Sequence, residues 1–531
     1  MPAPQARLLL ECHGIVQGVG ARPALRRLAD RLRLRGELRN RLGVLQLDLC
    51  GPQTILEEFL AALPRALPAA ARLERLEVCW REAPVSPWPK EVRIVADPAR
   101  PLGQRLLAPG LSADRAPCPQ CLAELRDPAS RRHRYPFISC CACGPRYTVA
   151  TALPFCRAHT TFAGLPPCPD CAREFRDPEN RRFHAETISC PACGPRLRLC
   201  DPAGQLLAQG EDALSTASGL LGAGQIVCLQ GVGGFQLLVD ATRRDAVARL
   251  RQRKQRPGKP FALLLADPRQ LADEVWCSAA EERALRHAAA PIVLLRRRHL
   301  RVDGPWDLIA PGSPALGVML PASGLHALLA EALERPLVAT SGNRGGDPLC
   351  FTADQALEQL SGIADAFLLH DLPIAHPLDD SLLQLIDSRP ALLRRARGFV
   401  PEPLPWRGPL ANRLSSAAPL LALGGDGKVA PAWVEGERIW LAPHLGDLAN
   451  AAVQRRWLEV VEAQLSPPAT TEPSAAKTGL VCDAHPGYLS HQLLRPLAGR
   501  RQLPLTAIAH HLAHGLAVLA ERGGQIGRAH V

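Results

Sequence analysis

Lysine is scarce in this sequence. Only 5 of the 63 basic residues are lysines, and the remainder are arginines. Since arginine serves here as the general surface cation, the formal net charge of +12 does not by itself indicate nucleic-acid binding. We favour a solvated basic surface with anionic substrates. A retained lysine marks a position where a compact ammonium is needed, and two of the five, Lys254 and Lys259, lie in one short segment.

Long apolar runs and secretion signals are also lacking. No stretch of about 18 uninterrupted apolar residues occurs, so the sequence predicts no contact with a membrane interior. The first residues, MPAPQARLLLECHG, lack the basic segment followed by a long apolar one that marks a secretory signal. We therefore expect a cytoplasmic protein. The 531 residues are too many for one hydrophobic core and predict roughly three or four domains.

Cysteine, in contrast, is abundant, and eight of the 18 cysteines form a tandem repeat within residues 110–200. Each unit, 118–143 and 168–193, holds two Cys-x2-Cys pairs, and 118–146 matches 168–196 at 17 of 29 positions. Four thiolates in two such pairs are typical of a closed, structural Zn site. The predicted ligands of the two zinc ions are Cys118, Cys121, Cys140 and Cys143, and Cys168, Cys171, Cys190 and Cys193. The alternative is buried free thiols. We expect His133 and His184, outside the pairs, to be exposed.

Residues 1–95 form the first predicted domain. A strand over 7–14 leads into a glycine-rich loop, and helical spacing follows over 23–34. Such a loop directs backbone N–H groups at a phosphate. The predicted phosphate cradle consists of Gln17, Gly18, Val19 and Gly20.

The segment VQGVGAR, with an asparagine 18 residues beyond its arginine, resembles the acylphosphatase family. The resemblance implies a ferredoxin-like βαββαβ fold, in which Arg22 holds an acyl phosphate and Asn40 orients the attacking water. Two positions depart from the family's pattern: Ala21 replaces the usual phenylalanine, and Arg41-Leu42 replaces the usual Asp-Gly. Neither departure removes a functional group, so we expect acylphosphatase activity. The alternative is a cradle retained for packing alone.

Residues 201–403 alternate apolar strands with amphipathic helices, which predicts an α/β domain. The segment KQRPGKP and the strand ending LVATSGN resemble the YrdC family. The resemblance implies that ATP, as its Mg complex, and a carbamoyl-type group bind here and form an acyl-adenylate. The implied binding residues are Lys254, Arg256, Lys259, Ser341 and Asn343. Pro377 stands where the family usually has a basic residue. The alternative is a solvated charged loop.

The range 415–531 holds a strand entering a glycine turn, LLALGGDG, and the sequence HHLAH. His510 and His514 would lie one helical turn apart, a spacing suited to a metal. They resemble the HxxxH of the TsaD-type ASKHA fold, which implies iron or zinc beside a nucleotide. A complete lobe pair would need on the order of 200 further residues. We therefore expect only the N-terminal part of this domain, ending in a tail unlike the family.

The four parts in this order resemble one family, HypF, the carbamoyltransferases of nickel–iron hydrogenase maturation. The implied fold is multidomain α/β and α+β: an acylphosphatase domain, tandem zinc modules, a YrdC-like domain and a partial TsaD-like lobe. The implied chemistry is cleavage of carbamoyl phosphate, formation of carbamoyl-adenylate from ATP, and transfer to the C-terminal cysteine of a HypE-like protein. On this interpretation the zinc modules are a rigid connector, and the chain as given does not complete the transfer.

Parts of the sequence are also compatible with two other functions. A threonylcarbamoyl-adenylate synthase for tRNA modification would share the YrdC and TsaD resemblances, but neither the Gly18–Arg22 loop nor the zinc tandem belongs to it. A zinc-ribbon nucleic-acid binder would use the basic surface. The repeats, however, lack clustered aromatics for base stacking, so we expect no nucleic-acid partner.

Overall fold

The structure is a computed structural model that describes residues 5–41, 43–82, 88–96, 100–101, 109–300, 304, 306–405, 418–465 and 478–522. It contains three large sheets and, between the first two, a zinc-module region with little regular structure. Within the described ranges, no helix combines the length and the apolar character that crossing a bilayer requires. The predicted multidomain α/β and α+β class is confirmed.

The first domain is a five-stranded sheet with two helices. Its elements are β1 (Gln5–Ile15), α1 (Ala21–Arg31), β2 (Arg35–Arg41), β3 (Val44–Pro52), α2 (Gln53–Ala66), β4 (Arg72–Glu82) and β5 (Val92–Val95). The strand order β4-β1-β3-β2-β5 agrees with the predicted ferredoxin-like fold. Alternate residues of β1, Leu8, Leu10 and Cys12, are fully buried, as expected for a sheet with one covered face. The helix predicted over 23–34 begins two residues earlier and ends at Arg31.

The zinc-module region holds two short helices, α3 (Pro119–Arg126) and α4 (Pro169–Arg176), and a small sheet of β6 (Arg100–Pro101) and β7 (Ala152–Leu153). Each helix begins directly after the first cysteine of its module, with proline at its first position. Proline is favoured there because its missing N–H would have no helical partner. The second cysteine of each first pair therefore lies in the first turn of a helix.

An 11-stranded mixed sheet forms the third domain. Its strands are β8 (Leu197–Cys200), β9 (Leu206–Gln209), β10 (Val227–Gln230), β11 (Phe235–Asp240), β12 (Ala262–Leu264), β13 (Ile292–Arg296), β14 (Ala315–Met319), β15 (Leu337–Ser341), β16 (Ala366–His370), β17 (Leu382–Ile386) and β18 (Arg389–Arg394). Its helices are α5 (Gly210–Gly222), α6 (Arg244–Arg253), α7 (Ala279–Leu285), α8 (Gly324–Leu333) and α9 (Ala353–Leu360). The order is β18-β17-β13-β14-β12-β15-β11-β10-β16-β8-β9. Since β8 pairs with β16, the sheet starts ahead of residue 201.

A six-stranded sheet forms the last domain, in the order β19-β22-β21-β20-β23-β24. Its strands are β19 (Leu404–Pro405), β20 (Leu420–Ala422), β21 (Ala432–Glu435), β22 (Arg438–Leu441), β23 (Gly479–Asp483) and β24 (Leu505–Ile508). Its helices are α10 (Ala451–Leu465), α11 (Leu489–Arg501) and α12 (His510–Arg522). The predicted tail lies mostly outside the described residues.

The zinc-module region packs on both neighbouring domains. Cys121, Leu125 and Tyr135 of the first module share a hydrophobic core with the 11-stranded sheet. On the other side, Arg27 of α1 donates to the carbonyl oxygen of Asn180 in the second module, at 2.9 Å. The two modules therefore fix the first and third domains against each other.

Candidate active sites

The eight repeat cysteines form two four-thiol clusters with the predicted membership. In the first cluster, successive Sγ atoms lie 3.5–3.8 Å apart, and in the second 3.6–3.8 Å apart. A tetrahedron with Zn–S bonds of about 2.3 Å has edges of about 3.8 Å. Both clusters therefore fit zinc, with four protein ligands and no open coordination position.

Arginines link the two clusters in a reciprocal manner. Arg131 of the first module donates to Cys171 Sγ at 3.0 Å, and Arg181 of the second donates to Cys121 Sγ at 3.2 Å. The arginine after each one pairs with a glutamate of the other module: Arg132 with Glu174 at 2.6 Å, and Arg182 with Glu124 at 2.5 Å. Four thiolates and one Zn²⁺ leave two negative charges, which these guanidinium groups partly neutralise. The modules thus form one rigid unit.

The glycine loop of the first domain leads into a small cavity between this domain and the zinc-module region. We call it the anhydride cavity; it is lined by Val16, Gly18, Gly20, Ala21, Arg22, Pro23, Asn40, Cys141, Arg146, Phe155, His184, Ala185 and Glu186. Gly18 and Gly20 have φ of 71° and 78°, a conformation that favours glycine. A Cβ on Gly18 would also lie 2.7 Å from Arg146 Cδ.

Arg22 and Asn40, separated by 18 residues in the chain, both line the anhydride cavity. Arg22 is the second residue of α1, and Asn40 lies on β2 with only 1% of its surface exposed. Within the described structure, Asn40 Oδ1 has no hydrogen-bond partner. A buried acceptor without a partner is costly, so this oxygen is suited to a ligand or a water. Two of the predicted cradle residues, Gln17 and Val19, are buried. The backbone N–H of Gln17 donates to the carbonyl oxygen of Gly110 at 2.8 Å, and its Oε1 accepts the N–H of Phe155 at 2.9 Å, so Gln17 supports the loop and its N–H does not face a phosphate.

The remaining wall of the anhydride cavity comes from the zinc-module region. The Glu186 carboxylate accepts a hydrogen bond from Arg22 Nη2 at 3.0 Å, and Arg146 donates to the carbonyl oxygen of Gly18. The expectation that His184 is exposed was wrong: it lines the cavity and is half-buried, because its turn packs on α1. Burial, with Arg22 and Arg26 nearby, lowers the pKa of His184 to about 4. The imidazole is therefore neutral at physiological pH.

In the third domain, Lys254, Ser341 and Asn343 come together. Lys254 Nζ donates to the carbonyl oxygens of Ser341 and Asn343, the latter at 2.8 Å, and to Asn343 Oδ1 at 3.2 Å. Ser341 Oγ donates to the same Oδ1 at 2.7 Å. Lys254 is only 4% exposed, and burial lowers the pKa of its ammonium to about 7. A buried lysine at the C-terminal edge of β15 provides a charge that responds to pH near neutrality.

Arg256 and Lys259 lie in the loop after α6, apart from the contacts of Lys254. Arg256 donates to the backbone oxygens of Lys259 and Pro260, at 3.2 and 2.6 Å, and so closes the loop on itself. Burial lowers the pKa of Arg256 to about 10. Lys259 is exposed. Its pKa is nevertheless lowered, first by partial burial and then by the positive charges of Arg256 and of Lys428 in the last domain. The loop thus presents cations toward the last domain.

A buried polar chain near Lys254 was not predicted from the sequence. His326 Nε2 contacts Gln236 Oε1 at 2.8 Å, Gln236 donates to Asp380 at 2.6 Å, and Asp380 pairs with Arg397 at 2.8 Å. No sequence pattern pointed to this chain, because its members are up to 144 residues apart. Next to them, burial alone would raise the pKa of Asp379; the His444 hydrogen bond and the Arg394 charge hold it at about 2.

Four cavities follow one another through the described part of the molecule. A middle cavity, between the zinc-module region and the third domain, is lined by Gly144 and Pro145, which adjoin Arg146 of the anhydride cavity. It shares Gly231, Ala322 and Arg397 with a third cavity that contains Ser341. A fourth cavity shares Ser341 and Asp379 with the third; Asn343 lines it from one side, and His444 and α10 of the last domain line it from the other. The anhydride cavity thus adjoins the middle cavity without sharing a lining residue with it, and the other three cavities share walls that include Ser341.

His510 and His514 meet at the start of α12. Their Nε2 atoms lie 3.1 Å apart, a separation compatible with two ligands of one metal ion. Asp483 Oδ2 contacts His510 Nδ1 at 2.7 Å, the arrangement by which a carboxylate orients a metal-binding histidine. In the described ranges this pair does not belong to a group of three or more potential metal ligands. The pair thus supplies two ligands and leaves coordination positions for others.

Comparisons with known proteins agree with this order of parts. The acylphosphatase family model matches residues 9–86, the "HypF finger" 118–150 and 168–200, the Sua5/YciO/YrdC model ("Telomere recombination") 219–396, and the "HypF Kae1-like domain" 415–521. Fold and sites together define a protein that joins an acylphosphatase domain to a YrdC-type domain through zinc modules. The chain belongs to the HypF family.

Similar proteins match almost the whole chain. The carbamoyltransferase HypF of Synechocystis sp. is 41% identical over 514 residues, which are 97% of this chain and 64% of that protein. HypF2 of Cupriavidus necator is 41% identical over 538 residues, with the same coverage. A crystal structure of full-length HypF in the phosphate- and nucleotide-bound form superposes with a TM-score of 0.87 at 34% identity, covering 98% of this chain and 65% of that one. The chain thus spans about 64% of the length of these relatives.

Proposed function

We propose that the chain carries out the first reactions of a carbamoyltransferase that acts in nickel–iron hydrogenase maturation. The observation that carries the proposal is the enclosure of Arg22 and Asn40 by the zinc-module region, beside a series of cavities that reaches Ser341, a residue that Lys254 contacts. A hydrolase that released its products would not need this enclosure. The arrangement is suited to a product that must be passed on.

The first reaction proposed is hydrolysis of carbamoyl phosphate. Arg22 binds the phosphoryl oxygens with its guanidinium, and the backbone N–H groups of Gly18, Val19 and Gly20 complete the cradle. Asn40 Oδ1, an acceptor without a partner in the described structure, orients the attacking water. The products are carbamate and inorganic phosphate. Carbamate decomposes in water, so it has to reach the next site without leaving the protein.

The second reaction proposed is adenylation of the carbamate. A carbamate oxygen attacks the α-phosphorus of ATP, carbamoyl-adenylate forms, and pyrophosphate leaves with the electrons of the broken P–O bond. Lys254 holds the end of β15 and supplies positive charge, while Ser341 and Asn343 offer polar contacts at a strand edge. Arg256 and Lys259 on the neighbouring loop are proposed to bind the phosphates of Mg-ATP.

The last proposed step is transfer of the carbamoyl group to the C-terminal cysteine of a HypE-like protein. The fourth cavity opens between the third and last domains, and so leads from the adenylation site toward the last domain. His510 and His514 would hold an iron or zinc ion, which would supply positive charge to a bound nucleotide. Asp483 would fix the orientation of His510.

Exchange of labelled pyrophosphate into ATP tests this function. We expect exchange that depends on carbamoyl phosphate, because only the first site generates carbamate for adenylation. Threonine plus bicarbonate, the substrates of a threonylcarbamoyl-adenylate synthase, should support no exchange. Exchange with threonine and bicarbonate but not with carbamoyl phosphate would contradict the proposal and favour the tRNA-modification function.

A further inference from the structure

A carboxylate enters the anhydride cavity from the second zinc module. Glu186 is buried; its Oε1 lies 3.0 Å from Arg22 Nη2, and its Oε2 accepts the N–H of Arg157 at 3.0 Å. The pKa of Glu186 is raised, because the effect of burial exceeds the opposing effect of the Arg22 guanidinium. This carboxylate comes from outside the first domain. Glu186 belongs to the second zinc module and lies 164 residues beyond Arg22 in the chain.

A negative charge at this place opposes the binding of a phosphate, because like charges repel strongly in a poorly solvated cavity. The carboxylate must therefore serve something other than phosphate affinity. A carboxylate offers about four acceptor positions, and Arg22 and Arg157 use one on each oxygen. The remaining acceptor positions of the carboxylate are available to a hydrogen-bond donor of the ligand.

The substrate proposed above carries one such donor. Carbamoyl phosphate ends in an amino group where acetyl phosphate, of almost the same shape, has a methyl group. A methyl group cannot satisfy a buried carboxylate, and a site built around a substrate N–H discriminates strongly against an analogue that lacks it. Neither Arg22 nor the backbone N–H groups of the loop can make this distinction, since both are donors, and the acceptor Asn40 Oδ1 is assigned to the attacking water.

We infer that Glu186 is the residue that selects the acyl group: its carboxylate accepts the N–H of the carbamoyl amino group. This inference rests on the proposed hydrolysis of carbamoyl phosphate. The zinc modules thereby gain a second role, because the same module that fixes the geometry also supplies the group that turns an acylphosphatase site into one specific for an amide-bearing anhydride.

Phosphate release from carbamoyl and acetyl phosphate, measured on the full chain, tests the inference. We expect wild type to prefer carbamoyl phosphate in kcat/KM, and Glu186→Gln to lower that preference by about 10- to 100-fold, the worth of a hydrogen bond to a charged acceptor. Glu179→Gln is the matched control: the same substitution at an exposed position of the same module should leave the preference unchanged. If Glu186 only positioned Arg22, its replacement would slow both substrates equally, and the inference would be overturned.

A second measurement does not depend on the variant folding. Phosphonoacetamide and acetonylphosphonate differ by one amino-for-methyl exchange, and their C–P bonds resist hydrolysis. We expect the amide to inhibit the wild-type phosphatase reaction at least about tenfold more strongly. Equal inhibition, with hydrolysis of both acyl phosphates, would reject the selecting role and leave the proposed function standing. Absence of hydrolysis of either acyl phosphate would reject both.

Discussion

Arg22→Ala should abolish phosphate release from carbamoyl phosphate, with a loss of at least about 10²–10³-fold in kcat/KM. Arg22 is the one arginine of the first domain that lines the anhydride cavity in the described structure. Removing it would also take away the guanidinium that pairs with the buried Glu186 carboxylate beside the phosphate, so the loss should exceed that of one hydrogen bond. Release of phosphate from carbamoyl phosphate is the measurement.

Arg31→Ala is the control for this variant. Arg31 ends the same helix and is exposed, so its removal should leave turnover within about twofold, as expected for a surface substitution. Zinc content and the circular dichroism spectrum should match wild type in both variants. Unchanged turnover in Arg22→Ala would contradict the assignment of the phosphate site.

Lys254→Met should remove carbamoyl-phosphate-dependent pyrophosphate exchange and also its dependence on pH. Burial lowers the pKa of Lys254 to about 7, so the ammonium is present below this pH and is lost above it. If ATP binds the charged form, its affinity should fall about tenfold between about pH 6 and 8. Isothermal titration with Mg-ATP across this range measures the slope, which should vanish in the methionine variant.

Arg253→Met is the matched control. Arg253 is next to Lys254 in the chain and pairs with Asp365 at 2.6 Å, away from Ser341 and Asn343. Pyrophosphate exchange and the pH dependence of the ATP affinity should persist in the Arg253→Met variant. Exchange that survives in Lys254→Met, or a slope that remains in it, would show that another group carries the charge.

Local sequence patterns predicted much of the fold and many of the site residues. Two cysteines on each of two turns define a zinc site by spacing alone, and both clusters contain the predicted residues. The glycine loop and the KQRPGKP segment were sufficient to locate Arg22 and Lys254, because the backbone at each place is shaped by its own glycines and prolines. The ferredoxin-like sheet followed from the acylphosphatase resemblance, and strand order agrees with it.

Contacts between distant segments could not be predicted from the sequence. No sequence pattern singled out Glu186, and His184 was expected to be exposed. Both residues line the anhydride cavity because the second module packs on α1. Arg256 was grouped with Lys254, but its guanidinium is engaged by the oxygens of its own loop. The positions of Glu186 and His184 depend on how domains pack, which has no periodic trace in the sequence, whereas Arg256 is held by contacts local to its own loop.

The central claim is that the zinc modules hold two reaction sites in register, so that carbamate passes between them inside the protein. The direct measurement is the ratio of carbamoyl-adenylate formed to phosphate released from carbamoyl phosphate, before and after extraction of zinc by a chelator. The thiol clusters have little core of their own and need the metal to keep their fold, whereas the first domain has a separate core that retains Arg22 and Asn40. We predict a ratio near one in the zinc-loaded protein and a marked fall after extraction, with phosphate release continuing. An unchanged ratio in the metal-free protein would contradict the account.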